Sequence, residues 1–464
     1  MGDELKLVGI AIAALGLAAF VYAAYIAHPP LIQVPDFGKW LEEKVEQEQA
    51  KNQKLDPVLQ QQLAVNPKKP VRMFVSGVNA TELERQGFRV VKAGKYASWA
   101  VVEGDYEELQ KLLKNPKVQK VLYDQRVRAI GFADTLSQIP IKPVVQDLGW
   151  NLEAIKADIA HRSNFTGKGA VVTILDTGVN HNLPDLHDGY LDGYDFAYGD
   201  PEPDDVYGHG TECASIILAE GEDRYTGVAP QAKYYALKVL NDNGEGNWSD
   251  VIAGLEWVLD KVNAGEKIDV VSMSLGADLA PPELETLCDL LYSKGVILVA
   301  ASGNSGGATS LYPAAYDTVI SVAATDIYGT VATFSNGGAL VAAPGVQVPV
   351  LSSDGNIYYG DGTSYAAPHV AGVLLLVEAE KDITPGQAET LIKLSTDEIS
   401  DPNSKVEYGQ INAVKAINNA LNLNLSEERS WYEYLNEPWA QILVGLAVLT
   451  GALKFVVWRQ EGGE

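Results

Sequence analysis

Between about residues 144 and 421 of this 464-residue chain, short apolar runs alternate with longer stretches of helical period. The runs at 170–175, 234–239, 269–274 and 296–300 are apolar at most positions, a pattern that suits strands covered on both faces. The stretches at 249–262 and 283–294 supply helices to cover them. An α/β domain is predicted, built on a mainly parallel sheet with helices on both faces. Ligand crevices in such sheets lie beyond the carboxyl ends of the strands, so chemistry belongs in the residues that follow each run.

Three segments carry candidate chemistry. Asp176-Thr177-Gly178 follows the first run, with a glycine that lets the chain turn sharply. Taken alone, a loop aspartate is as readily a helix cap. His209 stands between Gly208 and Gly210, ahead of a helical pattern, and reads equally as a cap or a base. Ser364 lies in Gly362-Thr363-Ser364-Tyr365-Ala366-Ala367-Pro368-His369-Val370-Ala371-Gly372, where a glycine-rich turn feeds a small-residue helix. Helix amides there favour a developing anion, and serine also suits an N-cap.

Together, in the chain order aspartate, histidine, serine, these segments resemble the subtilisin-like serine protease family. The resemblance spans about residues 144–421, including Leu148-Gly149-Trp150-Asn151-Leu152 near its start. It implies a serine endopeptidase working through an acyl-enzyme: Ser364 attacks the scissile carbonyl, His209 carries the proton and Asp176 orients the imidazole. Asn304, in Ser302-Gly303-Asn304-Ser305-Gly306, matches the family's oxyanion donor, acting with the Ser364 amide. Ser274, Leu275 and Gly276 match its substrate-binding strand, so the implied partners are extended polypeptides paired by β-augmentation. Leu311 precedes Tyr312-Pro313 where many members carry glycine. It would shorten the first pocket and favour small or medium apolar side chains, while Asp278 leaves a basic preference open. Cys213 matches the free cysteine found beneath the catalytic histidine in some members.

The resemblance also implies structural Ca²⁺. Asp195, Asp200, Glu202 and Asp204 form an oxygen-rich loop suited to a hard cation, although an acidic chain also makes solvated acidic turns. Tyr198 stands there where the family places a carboxylate ligand. Asp185 and Glu222 match a second calcium site.

Upstream, residues 67–130 read as β-α-β-β-α-β, with strands at 71–75, 88–91, 99–102 and 118–123 and helices at 81–86 and 105–115. That order is the ferredoxin-like α+β arrangement. Ahead of a subtilisin-like domain it resembles the family's propeptide, an intramolecular inhibitor whose tail occupies the cleft. Residues 131–143 are the expected tail and self-processing region. Residues 31–66 read as a charged helical spacer and 422–437 as a linker.

Two apolar stretches flank these units. Residues 7–27 are uncharged and long enough to span a bilayer, within an N-terminal anchor or signal segment at 1–30. Residues 439–458, bounded by Trp439 and Trp458, are a second predicted transmembrane helix in the C-terminal segment 438–464. The expectation is a membrane-anchored zymogen that cuts itself, with its catalytic domain outside the cell. A net charge of −26 disfavours nucleic acid, and Cys213 and Cys288 are too few for a disulfide scaffold. The alternative from another class is a catalytically silent subtilisin-fold binding or scaffold protein. The presence of Asp176, His209, Asn304 and Ser364 together opposes it. A second alternative keeps the chemistry and faces the cell interior.

Overall fold

The structure is a computed structural model that describes residues 54–124, 126–130, 149–221 and 225–427. Its central sheet has nine strands, in the order Thr396–Asp397, Gln410–Ile411, Val341–Pro344, Val319–Thr325, Ile297–Ala301, Val270–Met273, Val171–Asp176, Lys233–Lys238 and Tyr190–Asp195. Neighbours are parallel except for the first pair. All four predicted runs are strands of it. The flanking strands were not predicted: Tyr190–Asp195 carries three polar or glycine positions in six, and Val341–Pro344 is short and ends in proline.

Because side chains alternate across a strand, each central strand feeds two cores. Val172 and Ile174 pack in one core with Ala367, Val370 and Leu374 of the helix Thr363–Glu378. Val171 and Leu175 pack in the other with Val251, Leu255 and Val258 of the helix Trp248–Asn263. Helices therefore cover both faces, which is why the central strands are buried at every residue.

The short helix Trp150–Ala154 is pinned to the long one through histidine: Asn151 Nδ2 lies 2.9 Å from His369 Nε2, and His369 Nδ1 lies 2.8 Å from the Tyr365 carbonyl. Burial pushes the His369 imidazole down to about 4, so it serves here as a neutral strut.

Upstream lies a four-stranded antiparallel sheet in the order Val90–Ala93, Trp99–Gly104, Val71–Ser76, Lys120–Tyr123, with helices Ala80–Arg85 and Tyr106–Lys114 between strands. Met73, Val75, Ala100 and Val102 pack with Leu83, Leu109 and Leu112 of those helices. The opposite face, Phe74, Trp99 and Val101, joins Trp248, Leu255, Leu284 and Leu287 of the larger unit. The small sheet is thus held between its own helices and the helices Trp248–Asn263 and Pro282–Ser293.

Two carboxylates fix this docking. Glu256 accepts the backbone N–H of Lys95 and of Tyr96 at 3.0 and 3.2 Å, and the Trp99 indole at 3.3 Å. Asp124 accepts the Ser249 hydroxyl at 2.9 Å and pairs with Arg72 at 2.9 Å.

The predicted unit at 67–130 is corrected at its end. After Tyr123 the chain leaves the small sheet, and Arg126–Ala129 becomes a strand of a separate three-stranded sheet. Among the described residues no helix is long and apolar enough to cross a membrane. Both predicted spans, the spacer through residue 53 and the segment 131–143 lie outside the described residues.

Candidate active site

Asp176 ends its strand and Gly178 follows with a left-handed φ of 104°. A Cβ at Gly178 would meet the Pro203 carbonyl oxygen at 2.4 Å, so only glycine allows the loop to close this tightly. A Cβ at Gly210 would lie 2.1 Å from the Gly178 carbonyl oxygen, so the aspartate and histidine loops touch backbone to backbone. Asp205, buried between them, accepts from the Thr177 hydroxyl at 2.9 Å, from Gly208 N at 2.8 Å and from the Thr211 hydroxyl at 2.6 Å. Nothing in its motif marked Asp205 as the clamp, since its four donors, the Thr211 backbone N–H among them, come from two separate loops.

This clamp sets the helix His209–Leu218 so that His209 Nδ1 lies 2.7 Å from Asp176 Oδ1. Burial opposes a charged imidazole, but the Asp176 carboxylate outweighs it and holds His209 well above its ordinary value. That is the electrostatic signature of a base made to hold a proton in mid-reaction. Cys213 Sγ lies 3.9 Å from the His209 ring nitrogens and 3.4 Å from the Ser364 carbonyl oxygen. Burial pushes its thiol up to about 11, so the free cysteine packs and does not react.

Ser364 sits in the first turn of the helix Thr363–Glu378, fully buried, and its hydroxyl makes no hydrogen bond among the described residues, His209 included. Bonds of this kind often tighten only as substrate reacts. The carbonyl of Ser364 is fixed by the Ser274 hydroxyl at 2.8 Å.

The cleft is filled by the chain itself. Arg126–Ala129 pairs antiparallel with Leu275–Gly276 on one side and with Glu245–Asn247 on the other. Ile130 N donates to the Ser274 carbonyl at 3.0 Å, and Asn304 Nδ2 donates to the Ile130 carbonyl at 2.8 Å. Asn304 is itself oriented by accepting from Thr363 N and the Thr363 hydroxyl, both at 2.9 Å.

Ser274, Leu275 and Gly276, matched by the motif to a peptide-pairing strand, here pair with residues 128–130 of the chain itself. Leu311 packs against the core cluster that includes Ile130, and a Cβ placed on Gly276 would sit 3.0 Å from both Leu311 Cβ and Ile130 Cδ1. The expected tail, 131–143, lies outside the described residues; among the described residues the segment in the cleft is 126–130. Its alternation was the available signal: Arg126 and Arg128 are exposed, while Val127 and Ile130 are buried.

The acidic loop is not a ligand set as it stands. Asp195, Asp200 and Asp204 do not gather their oxygens within 4.8 Å of one another. The Asp195 carboxylate instead accepts Tyr198 N at 2.8 Å, and that of Asp200 accepts Glu202 N at 3.0 Å. Asp185 is buried at the start of a short helix, and Glu220 N donates to its carbonyl at 3.1 Å. Glu222 lies outside the described residues.

An activated histidine, a buried serine at a helix start and an amide donor aimed at a peptide carbonyl define a serine peptidase on an α/β frame. Residues 167–410 match the model of the subtilase family. The chain is 38% identical over 256 residues to the thermophilic serine proteinase of Bacillus sp. (strain AK1), covering 54% of this chain and 62% of that protein. It is 36% identical over 255 residues to thermitase of Thermoactinomyces vulgaris, covering 54% of this chain and 89% of that one. Subtilisin Savinase of Lederbergia lenta is 39% identical over 236 residues, or 50% and 85% of the two chains. The chain belongs to the subtilase family and is a subtilisin-like serine endopeptidase.

Proposed function

We propose that the chain is a membrane-bound precursor that cuts its own Ile130–Gly131 bond and then keeps residues 54–130 as an inhibitor. One observation carries the reading: the Ile130 carbonyl already accepts the Asn304 amide at 2.8 Å, at the end of a strand paired on both sides. Ser364 Oγ adds to the Ile130 carbonyl carbon while His209 takes the hydroxyl proton. Collapse breaks the bond to the Gly131 nitrogen, which receives that proton, and water then hydrolyses the Ile130 ester. The hydrogen bonds that Glu256 accepts from Lys95 and Tyr96 hold the small unit in place after the cut.

The first span, residues 7–27, then stays with the small unit, and residues 439–458 hold the catalytic part to the bilayer with its active site outside. A structural Ca²⁺ belongs to the Asp185 site, where the loop preceding Glu222 folds back onto the buried aspartate. The Asp195 loop is not part of the proposal.

The test is expression of the chain and of its Ser364→Ala variant, with N-terminal sequencing of the products recovered from carbonate-washed membranes. The active form should yield a membrane-retained fragment beginning at Gly131 and the variant only full-length chain. Identical products from both would end the reading.

A further inference from the structure

Arg126 and Arg128 share one partner. Arg126 Nη1 lies 2.9 Å from Glu245 Oε2, and Arg128 Nη2 lies 3.2 Å from Glu245 Oε1. Glu245 belongs to the catalytic unit, on the strand Glu245–Asn247 that forms one wall of the cleft, and it stands directly opposite Arg128 in the antiparallel register. Residues two apart on a strand share a face, so one carboxylate serves both arginines. Ile130 presents its carbonyl to Asn304, so counting back from that carbonyl places Arg128 third and Arg126 fifth.

Glu245 stays in place when the occupant changes. Any extended peptide held in the same register sets its third and fifth residues against this carboxylate, and its fourth where Val127 is now fully buried beside the core that holds Trp248 and Leu275. We infer that Glu245 is a specificity-determining residue that selects substrates with basic side chains at the third and fifth positions before the cut bond. This rests on the reading of residues 126–130 as a cleavage-register occupant. The substrate class is an extended segment in which basic and apolar residues alternate.

The pairs are largely solvated, with Arg126 and Arg128 side chains 62% and 69% exposed and Glu245 30% exposed. Exposed pairs of this kind translate into a preference of about two- to fivefold at each position, weakening in concentrated salt.

The experiment compares kcat/KM of the full chain and of Glu245→Gln and Glu245→Arg on fluorogenic peptides. One peptide carries Arg-Val-Arg-Ala-Ile before the leaving group; the others replace both arginines by alanine or by glutamate. The wild type should prefer arginine over alanine by about four- to twentyfold in low salt. Glu245→Gln should flatten the ratio, and Glu245→Arg should reverse it toward glutamate. A purely structural role for Glu245 would lower all three peptides together and leave the ratios unchanged, which would overturn the assignment. Sequencing the processed terminus separates the two claims. A terminus at Gly131 with unchanged ratios removes Glu245 alone, whereas a terminus elsewhere removes the register and the position numbers with it.

Discussion

Replacing Gly362 by alanine puts a carbon atom where the reacting carbonyl must sit. On the existing backbone that Cβ lies 2.9 Å from the Ile130 carbonyl oxygen, 3.0 Å from Asn304 Nδ2 and 3.1 Å from Ser364 Oγ. Carbon and oxygen approach to roughly 3.3–3.6 Å at closest, so the carbonyl must retreat by about half an ångström. The Asn304 amide is crowded from the same point, and its 2.8 Å bond to the carbonyl lengthens beyond the range in which a donor stabilises an oxyanion. Losing one such donor lowers kcat by about 10²–10³, or about 2.7–4 kcal/mol, a magnitude measured on a subtilisin. The added carbon has neither His209 nor Asp176 among its three nearest atoms, so its direct crowding falls on the carbonyl and its donor, with strain added at the Gly362 φ of 157°. The assay is steady-state hydrolysis of a chromogenic peptide, normalised by titration with a fluorophosphonate, with a thermal melt to show that the variant is folded. KM should change little. A folded Gly362→Ala enzyme with kcat within about fivefold of wild type would refute the placement of the oxyanion site.

Two further outcomes follow from the same geometry. Since Asp176 holds His209 well above its ordinary value with the cleft occupied, kcat should rise with pH along a limb displaced above 6.5, as the imidazolium gives up its proton. The Asp176→Asn variant should lose about 10⁴ in kcat and move that limb downward, because burial then acts on the ring without the carboxylate that outweighs it; a wild-type limb at or below 6.5 would contradict this. Leu311→Gly removes a side chain packed against the cluster that holds Ile130, so the ratio of kcat/KM for phenylalanine over isoleucine at the cut position should rise about tenfold. An unchanged ratio would show that Leu311 does not bound the pocket.

The triad and Asn304 were legible because each sits in a motif whose glycines have a single geometric use, as the contact of Gly210 with the Gly178 carbonyl shows. The central strands were legible because burial on both faces leaves a mainly apolar run, as at Val171–Asp176, where Thr173 alone interrupts it before the closing aspartate. Edge and cleft strands were not, because their partners come from distant sequence. Leu275–Gly276 is two residues long and acquires strand character only by pairing with Arg126–Ala129. Asp205 and Glu256 were hidden for a similar reason: Asp205 meets donors on two separate loops and Glu256 meets the segment 95–99 far upstream, and no local pattern encodes either convergence. In the acidic loop, where composition suggested ligands, the Asp195 and Asp200 carboxylates accept backbone N–H groups of their own turns.

The three-stranded sheet takes its middle strand from residues 126–129 and its outer strands from the catalytic unit. Withdrawal of that middle strand would strip both neighbours of their backbone partners at once and expose raw edges of the sort that recruit stray polypeptide. Vacating the cleft is therefore an exchange of ribbons: a departing segment leaves most readily when another extended chain takes over its bonds.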